Sequence, residues 1–236
     1  SLLQKLKIKK GKLVVEKKSG DKTIYIKTDF DYKYPFLLIN NKKINNYKIN
    51  ATVLNNKIDV DINNKIKVHV DDTIKISLNN CVVDMQELLN IKKNVQLPQT
   101  KSKSKTILLN AENVALQLTQ TRKIISDTIS MQLDDNITTL QLKHDKAVAG
   151  LKIEDGMFHL YGSKFNDKFM ENLFSLSKFK DGELEFSVKG TFEEFDGAFY
   201  IHDTTVIDYK LLNNILAFVN TVPSLVTFSL PDYNKN

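Results

Sequence analysis

Residues 55–80 read NNKIDVDI NNKIKVHV DDTIKISL NN, an eight-residue ruler of six-residue runs (Lys57–Ile62, Lys65–Val70, Thr73–Leu78) separated by Asn-Asn or Asp-Asp pairs. Within each run apolar and polar residues alternate, the period of a β-strand with one greasy face. Ile58, Val60 and Ile62 share a face while Asp59 and Asp61 take the other; Ile66, Val68, Val70 and Ile74, Ile76, Leu78 repeat the pattern. The pairs between runs are turn signals, so the stretch predicts an antiparallel meander. Nine such side chains at roughly 1.5 kcal/mol each would forfeit about 14 kcal/mol if left in water. That rivals the net stability of a domain, about 5–15 kcal/mol. A helix, a second sheet, a partner chain or an apolar ligand must therefore cover that face.

Working outward, the N-terminal part reads as further strands: Lys5–Lys9, Lys12–Lys17, Thr23–Asp31, Phe36–Asn40 and Tyr47–Leu54, with Gly11 and Ser19-Gly20-Asp21 punctuating the first hairpins. After Asn79-Asn80 the period changes. Val83, Leu88 and Ile91 fit a short helix from Asp84 to about Lys93, with Asp84 as N-cap and Glu87 three residues on. Residues 98–105 are polar and aperiodic and read as a linker between an N-terminal β-rich lobe, 1–97, and a second lobe, 106–236. The second lobe predicts strands at Thr106–Asn110, Val114–Leu118, Thr128–Leu133, Ile137–Lys143, Val148–Glu154, Met157–Tyr161, Glu183–Thr191 and Phe195–Asp203. Asn166 or Asp167 begins a helix running to about Ser177, and Asp208–Val222 forms another, stopped by Pro223. Some fifteen strands served by three short helices predict a mainly β fold in which either two sheets face each other or an apolar groove stays open.

The 236 residues, 42% of them apolar, suffice for a real core. The net charge of +6 is uneven. Residues 1–97 carry 19 Lys/Arg against 10 Asp/Glu, a net of +9, and the remainder carries 15 against 18, a net of −3. The lysines are spaced singly along outward strand faces, as in Lys5, Lys7, Lys9, Lys67 and Lys75, with no basic-aromatic recognition motif, which disfavours nucleic acid as a partner. One cysteine, Cys81, excludes an intramolecular disulfide framework and a multi-cysteine zinc site. No apolar run is long enough to span a membrane, the longest (Leu211–Leu230) being broken by Asn213, Asn214, Asn220 and Pro223. The chain starts at Ser1 with no signal-peptide pattern, so the sequence reads as a piece of a longer protein whose anchor or export signal lies elsewhere.

Little in the sequence carries reactive chemistry. His69, His144, His159 and His202 are scattered without metal-ligand spacing, so no metal and no cofactor is expected. His144-Asp145 and His202-Asp203 point to opposite strand faces and form no dyad. Glu193-Glu194-Asp196 reads as a solvated hairpin turn, and there is no phosphate-binding glycine loop or nucleophile elbow. The expectation is a protein that is not an enzyme. Asn136-Ile137-Thr138, after Asp134-Asp135, is a glycosylation acceptor pattern at a turn.

Residues 106–236 resemble the C-terminal region of AsmA-like proteins of the YhdP type from the Helicobacter/Campylobacter lineage. The resemblance rests on Leu160-Tyr161-Gly162, the helix Asn166–Met170, Gly182, Gly190, Phe195-Asp196-Gly197 and above all the block Asn213–Phe228. It implies inner-membrane-anchored periplasmic proteins, architecturally similar to TamB and to bridge-like lipid transfer proteins, in which repeated β-segments curl into an apolar-floored groove carrying phospholipid between inner and outer membranes. Under that implication Ile58, Val60, Ile62, Ile66, Val68, Val70, Ile74, Ile76 and Leu78 would line the groove. The alternative is a structural module serving outer-membrane biogenesis and its permeability barrier through protein partners. Alternation alone leaves both open, because both require a greasy face.

Overall fold

The computed structural model describes residues 8–17, 19–94, 105–174, 182–191 and 193–203. The strand residues Lys5–Lys7, the linker from 98 to 104, the helix Asp208–Val222 and the block Asn213–Phe228 lie outside the described residues. The first half comprises β1 (Ile8–Lys17), β2 (Ile24–Tyr32), β3 (Leu37–Ile39), β4 (Lys42–Lys43), β5 (Asn46–Leu54), β6 (Lys57–Ile62), β7 (Ile66–Val70), β8 (Ile74–Asp84) and helix α1 (Met85–Asn94). The second comprises β9 (Ile107–Gln117), β10 (Lys123–Leu133), β11 (Ile137–His144), β12 (Ala147–Glu154), β13 (Met157–Phe165), helix α2 (Asp167–Phe174), β14 (Glu183–Gly190) and β15 (Phe195–His202).

All fifteen strands belong to one curled, unclosed mixed sheet. Its main path runs β1-β2-β5-β6-β7-β8-β9-β10-β11-β12-β13-β14-β15, and the β3–β4 hairpin attaches to the far end of β8. Along that path every neighbour is antiparallel except β8 and β9, which pair in parallel from Ile74↔Ile107 to Asp84↔Gln117. The two halves are thus stitched edge to edge into one surface. The three octad runs form β6, β7 and the start of β8, paired Val60↔Val68 and Val68↔Ile76.

The helices sit where short polar side chains can satisfy their first free amides. The Glu87 amide donates to Asp84 Oδ1 at 3.2 Å, and the Phe169 amide donates to Asn166 Oδ1 at 3.0 Å. An aromatic cluster secures the β3 arm. The Tyr47 hydroxyl accepts from the amides of Phe36 (3.0 Å) and Leu37 (3.2 Å), while its ring stacks on Phe30 and Phe36. Burial pushes that phenol up to about 12.

Four expected boundaries are corrected, and three share one cause. Asn79-Asn80 is no turn, because β8 runs through it to Asp84. Thr106–Asn110 and Val114–Leu118 are a single strand, and β10 begins at Lys123, not Thr128. Across this line the buried positions change phase by one residue: Leu78 then Cys81 in β8, Ala111 then Val114 in β9, Ile129 then Ser126 in β10. The registers stay constant, so Asn80, Asn113 and Asp127 lie abreast in three neighbouring strands. Asn80 and Asn113 take positive φ (49° and 52°), a conformation Asn tolerates better than most residues. A lost phase in the sequence is here a kink inside a continuous strand. The fourth correction is Gly11, which sits within β1 opposite Phe30; a Cβ there would lie 2.7 Å from Phe30 Cβ.

On the polar face of the meander His69 Nδ1 lies 2.6 Å from Asp59 and Nε2 3.2 Å from Asp71. Asp59, then Asp71, holds the imidazole above its ordinary value. The Thr73 amide and hydroxyl, then His69, hold Asp71 well below the usual carboxylate range.

Two outcomes follow from this architecture. A Cβ at Gly162 would come 2.5 Å from Phe186 and 2.9 Å from Phe165, so Gly162→Val is expected to cost about 1–3 kcal/mol in urea unfolding. Because the folded pKa of His69 is raised, its contribution is complete below the unfolded value near 6.5 and fades as pH climbs through the folded value. The melting-temperature gap between wild type and His69→Gln is therefore expected to be widest near about pH 5.5 and to narrow by about pH 9.

Candidate apolar groove

Because side chains alternate and the registers interlock, the inward-facing residues fall into rows that cross the strands. The middle row runs Val15, Ile26, Ala51, Val60, Val68, Ile76, Leu109, Met131, Leu140, Leu151, Leu160, Val188 and Gly197, one residue from each strand of the main path. No polar residue interrupts it. Twelve steps at about 4.8 Å give an apolar track roughly 58 Å long.

The nine candidates from the octads form three short rows within this surface: Ile62–Ile66–Leu78, Val60–Val68–Ile76 and Ile58–Val70–Ile74. Their burial is graded. Ile66 and Leu78 are buried, Ile62, Val68 and Ile76 pack against the core, Val60, Val70 and Ile74 are half-buried, and Ile58 is exposed. The same gradient extends along the track. Val15 at the β1 edge is 59% exposed, whereas Val188 near the other end is fully buried.

Burial increases where the helices provide a roof. Met85 and Leu88 of α1, Phe165 at the end of β13, and Phe169 and Leu173 of α2 face the floor of β8–β14. They enclose a cleft of about 160 Å³ lined only by apolar residues. It exists because the floor is locally shallow: Ala111 and Ala149 present little side chain beneath large roof residues. Apolar cavities of roughly 150 Å³ stay dry and accept a benzene-sized ligand, whereas drug-sized pockets span about 300–1,000 Å³. The cleft therefore fits a short stretch of hydrocarbon and not a whole lipid.

Of the nine octad candidates only Leu78 lines the cleft. Apart from Val83 of β8, its other floor residues, among them Leu109, Met131, Leu140, Leu151 and Leu160, come from the second half. They carry the same period-2 signal, Leu140/Leu142 and Leu151/Ile153 being plain examples, but lack the eight-residue repeat that made the first half conspicuous.

The histidines carry no paired chemistry, although the His144 ring lies 6.0 Å from that of the roof residue Phe169. His144 meets Asp127 at 3.1 Å and not its neighbour Asp145; His159 Nε2 meets Ser187 Oγ at 3.0 Å; His202 lies 4.0 Å from Glu185. Cys81 is buried, and burial pushes its thiol up. Thr191 closes the acidic turn, its Oγ1 accepting from the Glu193 and Glu194 amides. Asn136 is exposed on the β10–β11 turn, where its amide donates to Asp134 Oδ1. Among the described residues no group of three or more His, Cys, Asp or Glu could hold a metal ion, and no helix is long and apolar enough to cross a membrane. Comparison with protein-family models, curated proteins and solved structures finds no match in any of the three.

Proposed function

We propose that the apolar track is a passive, non-enzymatic conduit for acyl chains, phospholipid being the favoured cargo. The observation that carries this reading is the uninterrupted middle row, which crosses all thirteen strands of the main path. An acyl chain laid across the strands gains about 0.8 kcal/mol per buried methylene, and its headgroup remains in water. Successive positions along the row are all apolar, so a chain can shift by one strand without full exposure. The roofed cleft supplies a tighter hold for a chain end, and the exposed β1–β7 half supplies access. The AsmA-like resemblance of 106–236 leads us to place the protein in the periplasm, as part of an inner-membrane-anchored chain that passes lipid towards the outer membrane.

A second reading is supported by one feature. Leu13 and Val15 are 66% and 59% exposed on the β1 edge, which also suits a protein partner in outer-membrane assembly.

Native mass spectrometry with solvent extraction separates the two. Wild type is expected to carry phospholipid in defined stoichiometry. Val68→Asp, on the half-buried part of the track, and Ala149→Leu, which fills the cleft, are expected to retain the fold by circular dichroism and to lose most of that lipid. A wild type that stays lipid-free after incubation with phospholipid vesicles sinks the conduit and leaves the protein-partner reading.

A further inference from the structure

The outer face of the sheet carries a second concavity. It lies at the kink where Asn80, Asn113 and Asp127 stand abreast, and the Asn40-Asn41 turn of the β3–β4 hairpin overhangs it. Val83, Leu116 and Ile124 line the cleft, whereas their strand neighbours Val82, Ala115 and Ile125 line this depression, so the two sites occupy opposite faces. Its volume is about 400 Å³, within the range of small-molecule sites.

Val82, Ala115 and Ile125 form an aliphatic, half-buried floor, the buried residues Leu38, Cys81, Val114 and Ser126 also line it, and four exposed asparagines with one aspartate form the rim. Asn40, Asn41, Asn80 and Asn113 all have positive φ, between 49° and 60°. That conformation explains why asparagine is tolerated, but it does not require four of them to converge from three separate chain segments on one hollow. Each carboxamide offers two donors and two acceptor lone pairs. Asp127 is anchored by the Asp145 amide at 2.6 Å and by His144 at 3.1 Å. The Asp145 amide and then His144 hold its carboxyl below the usual range, and its remaining lone pairs can accept.

We propose that this depression binds a neutral saccharide, one sugar ring resting on the aliphatic floor with its hydroxyls bonded to the rim amides and to Asp127. The composition argues against other classes. No Lys or Arg lines the hollow and Asp127 would repel a phosphate, which disfavours nucleotides and anionic headgroups. A peptide adding as a strand needs a free edge, but beyond the kink β8 is flanked by β3 and β9. A purely apolar ligand would strip water from the amides without replacing their hydrogen bonds. Vicinal hydroxyls, each both donor and acceptor, match paired carboxamides without those penalties.

The test is a titration of the isotopically labelled chain with glucose, mannose, N-acetylglucosamine and their short oligomers, observing backbone and side-chain amide resonances. Saturable shifts confined to Asn40, Asn41, Asn80, Asn113 and their neighbours are the expected result. Asn80→Gly with Asn113→Gly keeps the positive-φ backbone and removes both carboxamides, so it is expected to fold and to bind about tenfold or more weakly. Asn40→Gly with Asn41→Gly tests the overhanging turn independently, should the first pair disturb the kink. No saturable shift with any of these sugars at tens of millimolar overturns the proposal, as do shifts that persist unchanged in both folded glycine variants. Neither result bears on acyl-chain binding, which uses the other face.

Discussion

The parallel pairing of β8 with β9 is the constraint on which the rest of the structure depends. Side chains change face with every residue, so a slip of one position would turn the apolar rows of one half towards the polar rows of the other. In the observed register Ile76 meets Leu109 and Leu78 meets Ala111, and the row begun in the N-terminal half continues through the C-terminal half. The Ile74 amide reinforces the start of the pairing by donating to the Thr106 carbonyl at 2.9 Å. Parallel neighbours cannot be joined by a tight hairpin, so a long connection between β8 and β9 is a geometric necessity, and α1 occupies the first part of it.

The kink shared by β8, β9 and β10 has a similar economy. A single strand that changed phase alone would break its ladder with both neighbours. Three adjacent strands changing phase at one level keep their registers and redirect the sheet together. Beyond the kink β8 exchanges β7 for β3 as a neighbour, and the buried residues Cys81, Val83 and Met85 carry the core towards α1. The outer surface is left hollow at the same place, so one backbone feature shapes both faces.

The apolar face raised a problem of cover, and the structure solves it unevenly. Over β8–β13 the roof of α1, Phe165 and α2 covers the buried residues Met131, Leu151 and Leu160. Over β1–β7 the middle row stays half-buried or exposed, from Val68 and Val60 through Ile26 to Val15, although Ile66 beside it is buried. A closed sandwich would have buried both halves alike. The graded exposure is what a groove requires: enough core at one end to hold the sheet together, and enough open surface at the other to admit an apolar guest.

The sequence by itself determined the local grammar: period-2 alternation, the turns between octads and the cap Asp84 all depend on residues within a few positions of one another, whereas Asn166 and Asp167 were both open as the second cap until the Phe169 amide was seen to donate to Asn166. It also determined which residues share a face within each unkinked run, and hence the common face of the nine octad residues. Tertiary structure alone decided that the two halves make one sheet, because backbone hydrogen bonds between strands are nearly indifferent to side-chain identity and β8 and β9 are distant in the chain. It likewise turned the phase breaks at Asn80, Asn113 and Asp127 into kinks, since a turn and a kink disturb alternation identically until the neighbouring register is known. The position of the cleft was undecided for the same reason: a cavity belongs to the fit between Ala111 or Ala149 and a distant roof, and no single strand encodes it.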